Sequence, residues 1–188
     1  MSWQTIWSGK MWIAQQSIQP DGRIFERMLR APGSRIILVK DKQILLSREK
    51  RSELGGQIDY RLPGGKVFDS NDTFQEFMNT GQDIVVESRH SIAKEALEEV
   101  GMVVDPAKLE YLGVDILGAT CTWDLHYWLA KEFTEHKDGA QYHESEADEI
   151  EGFVWLPFSE VKRIVLDPKQ FSESRSALQI ILYIEGQK

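Results

Sequence analysis

The segment "HSIAKEALEEVGM", His90 to Met102, constrains the chain most tightly: one short helical run holds Glu95, Glu98 and Glu99 and then stops at Gly101. A helix turns about 100° per residue, so Glu98 falls near −60° and Glu99 near +40° from Glu95, about one narrow face for all three carboxylates. Ala93, Ala96, Leu97 and Val100 gather on the opposite side and form a stripe to bury. Gly101 suits a left-handed cap, and the "MVV" after it reads as extended chain.

An acidic, solvated helix face is the plainer reading of this segment. Lys94 precedes Glu98 by one turn, the weaker order for an ion pair, and the like charges of Glu95 and Glu99 at i and i+4 cost roughly 0.2–0.5 kcal/mol. A hard cation removes that cost, because Mg²⁺ takes oxygen ligands from a few carboxylates, waters and substrate phosphates. The surrounding sequence has to decide between the two.

With 188 residues the chain suits one domain, or one domain with an added arm. Its 22 basic and 30 acidic residues leave a net charge of −8, which disfavours binding to long nucleic acid. A small phosphorylated ligand stays compatible, provided a metal or a few arginines supply local positive charge. No apolar run approaches the ~20 residues of a membrane span, and the start "MSWQTIWSGKMWIAQQ" lacks the pattern of a secretory leader. A soluble, cytoplasmic protein is therefore expected. Cys121 is the single cysteine, which excludes an intrachain disulfide or a thiolate zinc cluster and suits a small buried position in a strand.

Along the chain, "MWIAQQSIQPDGRIFERMLR" reads as a hairpin around Pro20-Asp21-Gly22. "RIILVKD" and "KQILLSREK" form a second strand pair, "SELGGQ" a loop, and "DYRLPGGKVFD" a short strand ending in Pro63-Gly64-Gly65, where main chain can approach another group. "DTFQEFMNTG" suits a short helix capped by Asp72, with Gln75 three residues on. The acidic helix begins between Asp83 and Ser88. "KLEYLGVDILG", "ATCTWDLHYWLAKEF" and "FVWLPF" are strands, "TEHKDGAQYHESEADEIEG" is a long acidic loop, and "SEVKRIV" and "SESRSALQIILYIEG" are helices. Strands interleaved with helices predict an α/β fold with a mixed sheet covered by helices.

The order of glycine pair, helix with "KEALEEVGM" and acidic loop resembles the Nudix hydrolases, whose signature runs G-x5-E-x7-R-E-U-x-E-E-x-G-U, with U aliphatic. Gly65 opens it here, and Lys94, Glu95, Ala96, Glu98, Glu99, Gly101 and Met102 close it. Three departures stand out. Lys94 lies 29 residues beyond Gly65 where the pattern has about 14, so about 15 residues, around "DSNDTFQEFMNTG", are inserted. Lysine replaces arginine at position 94, keeping charge but losing the planar fork that grips a carboxylate. The middle Glu of the signature would fall at Val86, with Glu87 one residue out of register.

The resemblance implies a Nudix-type α/β/α sandwich with a mixed β-sheet and an N-terminal β-hairpin arm. Residues 1–34 would form the arm and 35–188 the Nudix domain, with the insertion at about 69–86. It also implies hydrolysis of a diphosphate linkage in a nucleoside diphosphate joined to another moiety. Glu95, Glu98, Glu99 and the Gly64 carbonyl would hold Mg²⁺, with Mn²⁺ as the alternative ion. A general base must then take a proton from the attacking water. The candidates are Glu95 or Glu99 on the helix, and Glu146 in the acidic loop, which matches the position of a loop glutamate in ADP-ribose pyrophosphatases.

The wider layout is closer to the branch acting on ADP-ribose and nucleoside-diphosphate sugars, in which the N-terminal strands mediate a homodimer. Against that branch, Leu117-Gly118 stand where a proline is typical, and Arg61 stands where a Glu often precedes the glycine turn. Arg48, Arg51 and Arg61 are the candidate phosphate contacts. Trp12, Phe25, Tyr60, Trp123 and Trp128 could stack on a base, although core packing is the ordinary role of each. His126 suits packing, and His143 beside the acidic loop is a weaker candidate for the site. A binding or sensor protein that keeps the fold without turnover is the alternative, with Lys94 and the displaced Glu87 as its support. The expected partner is a small nucleotide, with no nucleic acid and no membrane.

Overall fold

Gln19 and Arg23 close the first hairpin: the Gln19 N–H donates to the Arg23 carbonyl at 2.8 Å, and Gly22 turns the chain at φ 85°. In this computed structural model, which describes residues 2–52, 55–141 and 150–187, that hairpin joins β2 (Ile13–Ile18) to β3 (Ile24–Leu29). The strand β1 (Gln4–Ser8), which no sequence pattern announces, pairs with β2 and is exposed along its whole length. A second hairpin links β4 (Gly33–Lys40) to β5 (Gln43–Lys50). Its two turn residues, Asp41 and Lys42, both sit at positive φ, the geometry that matches strand twist.

The main sheet also contains β6 (Ile58–Arg61). The chain then forms two helices, α1 (Asn71–Thr80) and α2 (Ile84–Val100), and the short strand β7 (Met102–Val103). A 3-10 turn at Pro106–Lys108 leads into β8 (Glu110–Asp115). The segment "ATCTWDLHYWLAKEF", expected as one strand, divides: β9 (Cys121–Thr122) pairs with β3, and β10 (Leu125–Ala130) runs parallel to β4. The chain therefore stitches the N-terminal sheet to the main one at Trp123 and Asp124. Cys121 is in a strand but only half-buried, because β9 is an edge. After β11 (Thr134–Glu135), which pairs with β7, come β12 (Ile150–Pro157), α3 (Phe158–Val165) and α4 (Ser174–Glu185).

In the main sheet the order is β12-β5-β4-β10-β8, with β6 also on β5. Strands covered on both faces lose polar alternation, and β10 is buried at all of its positions. Ile36, Leu38, Leu45, Trp128 and Ala130 face Ile92, Ala96 and Val100 of α2. On the other side Ile37, Ile44, Leu46, Tyr127 and Leu129 pack with Val161, Ile164, Ile180 and Ile184 of α3 and α4. The result is the expected α/β/α sandwich with a mixed sheet. No helix among the described residues is long and apolar enough to cross a membrane.

The inserted segment forms α1, but its cap differs from expectation. Ser70, not Asp72, is the N-cap, exchanging bonds with Thr73, and Gly81 closes the helix at φ 70°. The Asp72-Gln75 pattern lies two residues inside the true start. Asn71 is buried, and its Oδ1 accepts from the Ala31 N–H at 3.1 Å, tethering the insertion to the link between β3 and β4.

Candidate active site

Asp83 caps α2, accepting from the Val85 N–H at 2.9 Å, and Gly101 ends it at φ 66°. The glutamates do not all stand apart from its buried stripe. Ile92 lies about 60° ahead of Glu95 and about 20° from Glu99, so the apolar face begins where the acidic one ends. Glu99 is accordingly buried with Ile92, Ala96 and Val100, whereas Glu95 and Glu98 are half-buried.

Opposite Glu99 lies the glycine turn after β6. The Pro63 and Gly65 carbonyls accept from the Ile36 and Ser34 N–H groups of β4, each at 3.0 Å, and fix the turn to the sheet. Between them Gly64 adopts φ 142°, and a Cβ there would overlap the Ser34 carbonyl and crowd Ile92. The Gly64 N–H donates to Glu99 Oε2 at 2.7 Å. A Cβ on Gly65 would overlap the Glu95 carboxylate. Both glycines are therefore required by close approach, one to strand and helix, the other to the Glu95 carboxylate.

Gly64, Gly65, Glu95 and Glu99 line one cavity of about 210 Å³ together with Glu49 and Arg51. Burial pushes the Glu99 carboxyl up to about 8, and the nearby Glu95 charge adds to the effect, against the opposing hydrogen bond from Gly64. Glu98 does not line this cavity. Its carboxylate faces Lys94, with Nζ to Oε2 at 3.3 Å.

Among the described residues no three His, Cys, Asp or Glu side chains already converge as a metal cluster. The donors nevertheless fit a hard divalent cation. The carboxylates of Glu95 and Glu99 share one cavity wall and oppose each other's charge, and no hydrogen bond among the described residues reaches the Gly64 carbonyl. Glu95, Glu99 and Gly64 offer oxygen ligands as they stand; Glu98 would join them by leaving Lys94.

The three candidate arginines separate. Arg51 lines the cavity and pairs with Glu49 at 2.5 Å. Arg48 lies away from it, 3.4 Å from Glu151. Arg61 is largely buried among Glu49, Asp59 and Glu173. Glu87 sits in the first turn of α2 and lines a different pocket, with Lys66, His90 and Lys94. Glu146 and His143 lie outside the described residues. His126 is buried in β10, 2.9 Å from the Tyr111 hydroxyl, and burial lowers its pKa.

Four charged cavity residues escape sequence reading: Glu49, Arg35, Arg30 and Lys66. A signal existed for two of them. Arg35 interrupts a run that is otherwise buried, and a charge there needs a partner; Glu49 keeps the alternation of the buried Ser47. Arg35 finds Glu173 through two hydrogen bonds, Nε to Oε2 at 3.0 Å and Nη2 to Oε1 at 3.2 Å.

No family model matches the chain, and no curated protein matches it. Among solved structures, an ADP compounds hydrolase is 18% identical, with a TM-score of 0.69 over 100% of this chain and 94% of that one. A MutT NUDIX hydrolase from Burkholderia pseudomallei is 23% identical, covering 69% of this chain and 84% of its own, with a TM-score of 0.47. The first match extends along the whole chain, and the chain shares the α/β/α fold of that hydrolase.

Proposed function

We propose that the protein hydrolyses a diphosphate linkage in a nucleoside diphosphate joined to another moiety, ADP-ribose or a nucleotide sugar, giving a nucleoside monophosphate and a sugar phosphate. The observation that carries this reading is the pairing of Glu99 with the Gly64 N–H beside a Glu95 carboxylate held against Gly65. Like charges facing a glycine turn at the edge of the core are costly in a purely structural role and useful where a cation and a diphosphate meet. The solved ADP compounds hydrolase with this fold supports the substrate class.

Glu95, Glu98, Glu99 and the Gly64 carbonyl would hold Mg²⁺ or Mn²⁺. When bound, such an ion neutralises diphosphate oxygens and acidifies a coordinated water. The chain supplies the remaining work. Gly64 and Gly65 would let main chain approach the substrate, and Arg51, which lines the cavity beside Glu49, would contact a phosphate oxygen. Glu146 takes the proton from the attacking water in this reading, with Glu95 or Glu99 as the other candidates. The water oxygen bonds to one phosphorus while the bond from that phosphorus to the bridging oxygen breaks.

The exposed apolar residues Ile6, Trp7, Ile18, Ile24 and Phe25 of the N-terminal sheet support a homodimer through that sheet. One observation favours the alternative, a nucleotide-sugar binding protein without turnover: the ion pair with Lys94 holds Glu98 off the cavity. Release of phosphate monoester from ADP-ribose and a panel of nucleotide sugars, measured with and without Mg²⁺, separates the two. Metal-dependent turnover lost in Glu98→Gln is expected. Ligand binding by calorimetry with no turnover in the unsubstituted protein would favour the binding protein instead.

A further inference from the structure

Arg30 differs from the other arginines along the cavity wall. Arg35 is bound by Glu173 and Arg51 by Glu49. For the Arg30 side chain no ion pair or hydrogen bond is found among the described residues, and its Nε is buried without a partner.

Aromatic rings hold it instead. The guanidinium carbon lies 4.4 Å from the Trp123 ring centroid and 5.4 Å from that of Trp12, and the two indoles meet edge to face at 6.3 Å. These residues come from three places: Trp12 just before β2, Arg30 just after β3, and Trp123 between β9 and β10. The cluster therefore sits where the N-terminal sheet meets the main sheet. A Cβ built on Gly33 would lie 3.1 Å from the Gly65 carbonyl and 3.6 Å from the Trp123 indole nitrogen. The tryptophan and the glycine turn are thus neighbours across Gly33.

The electrostatics of this cluster are unfavourable as they stand. Burial lowers the Arg30 pKa, and the charges of Arg35 and Arg175 lower it further. Arg175 has its own partners, the Trp123 carbonyl at 2.7 Å and Asp115 at 3.6 Å. An anion at Arg30 would offset both the burial and the repulsion. Aromatic rings occupy the faces of a guanidinium and leave its N–H edge for in-plane contact, the geometry suited to a phosphate.

We infer that Arg30, held by Trp12 and Trp123, receives a phosphoryl group of the substrate on the Trp123 side of the cavity. This deepens the diphosphate reading above and rests on it for the identity of the ligand. The two walls of the cavity then have separate roles, the glutamates holding the cation and Arg30 the phosphate.

The test uses methylenediphosphonate, whose P–C–P bridge resists hydrolysis, with Mg²⁺ present. Binding is followed by calorimetry and by tryptophan emission, since a ligand at Arg30 sits beside two indoles. The unsubstituted protein is expected to bind with a change in emission. Arg30→Gln should weaken binding roughly 10- to 100-fold, the range of a charge-assisted hydrogen bond, and Arg30→Lys should recover part of it. The Tm of Arg30→Gln without ligand should be unchanged or higher, because a repelled charge has been removed. Unchanged binding in Arg30→Gln, a loss of binding that tracks a lower Tm, or no binding by the unsubstituted protein would each overturn the inference. Binding through Arg30 in a protein that hydrolyses none of the panel would keep this inference and remove the hydrolase reading. Turnover with an unchanged KM in Arg30→Gln, alongside unchanged binding, would do the reverse.

Discussion

Glu99 Oε2 accepts a 2.7 Å hydrogen bond from the Gly64 backbone N–H, joining the last turn of α2 to the glycine turn after β6 across 35 residues of sequence. The bond satisfies a half-buried donor, but it places a carboxylate where burial and Glu95 both oppose its charge. With Glu99 as a metal ligand, as proposed above, stability and function are set against each other at one residue.

Glu99→Gln isolates that opposition. The amide oxygen can still accept from Gly64, while above about pH 8, where the Glu99 carboxyl is ionised, the charge repelled by Glu95 disappears. In the absence of divalent cations Tm is therefore expected to rise at about pH 9 and to change little at neutral pH, and Mg²⁺-dependent turnover should fall by at least ~100-fold, the scale of losing an electrostatic contact in a phosphoryl-transfer site. Differential scanning calorimetry beside the monoester assay checks both. A lower Tm with normal turnover would show Glu99 to be a structural cap on the glycine turn and nothing more.

Gly64→Ala tests the turn itself. At φ 142° a Cβ would overlap the Ser34 carbonyl and press on Ile92, both in the packed interior. A cost of roughly 1–3 kcal/mol in urea unfolding is expected from strain alone, with activity lost because the Glu99 contact is displaced. An alanine variant of unchanged midpoint would mean that the turn can adjust freely, and its claim to position Glu99 would fail.

What can be read from the sequence follows from periodicity and turn chemistry. The Pro20-Asp21-Gly22 hairpin, the strand pair of "RIILVKD" and "KQILLSREK" and the cap at Gly101 are local signals, and the structure has each of them. Longer-range relations leave no such trace. No pattern around Glu99 announces that Ile92 draws it into the interior, since the wheel shows a boundary but not where the sheet lies. Neither does "RAPGSR" announce that Arg30 meets two tryptophans, one preceding it by 18 residues and the other following it by 93. β1 escapes notice because its exposed side chains show no buried face.

The exposed apolar side chains of the N-terminal sheet predict self-association. Trp7 and Phe25 are 56% and 39% exposed, high enough for a glutamate at either position to be accommodated in a monomer. Sedimentation should show a dimer for the parent chain and a monomer for a Trp7→Glu, Phe25→Glu double variant with a similar Tm for the main domain. A parent chain that sediments as a monomer at tens of micromolar would remove the dimer proposal.

Glu173 provides the last prediction, and it concerns acid stability. Its carboxylate is buried, which alone would raise its pKa. Arg35 and Arg61, with hydrogen bonds from Arg35 and Ser176, outweigh that and hold it down to about 2. Arg35 is buried as well, and although burial opposes its charge, Glu173 raises its pKa overall. A carboxylate whose folded pKa lies below the usual value near ~4.3 stabilises the fold fully above that value and loses the contribution as pH falls toward 2. Urea midpoints measured between pH 6 and pH 2 should therefore decline most steeply below about pH 4.5. Glu173→Gln should lower stability at neutral pH by roughly 3–5 kcal/mol, because Arg35 is left charged in the interior, and should flatten the acid limb. The same substitution frees Arg35 along the cavity wall, so methylenediphosphonate binding in the surviving folded fraction should change as well. A variant with the parent's neutral-pH midpoint and the parent's acid slope would show that the Arg35–Glu173 pair does not hold the interior together.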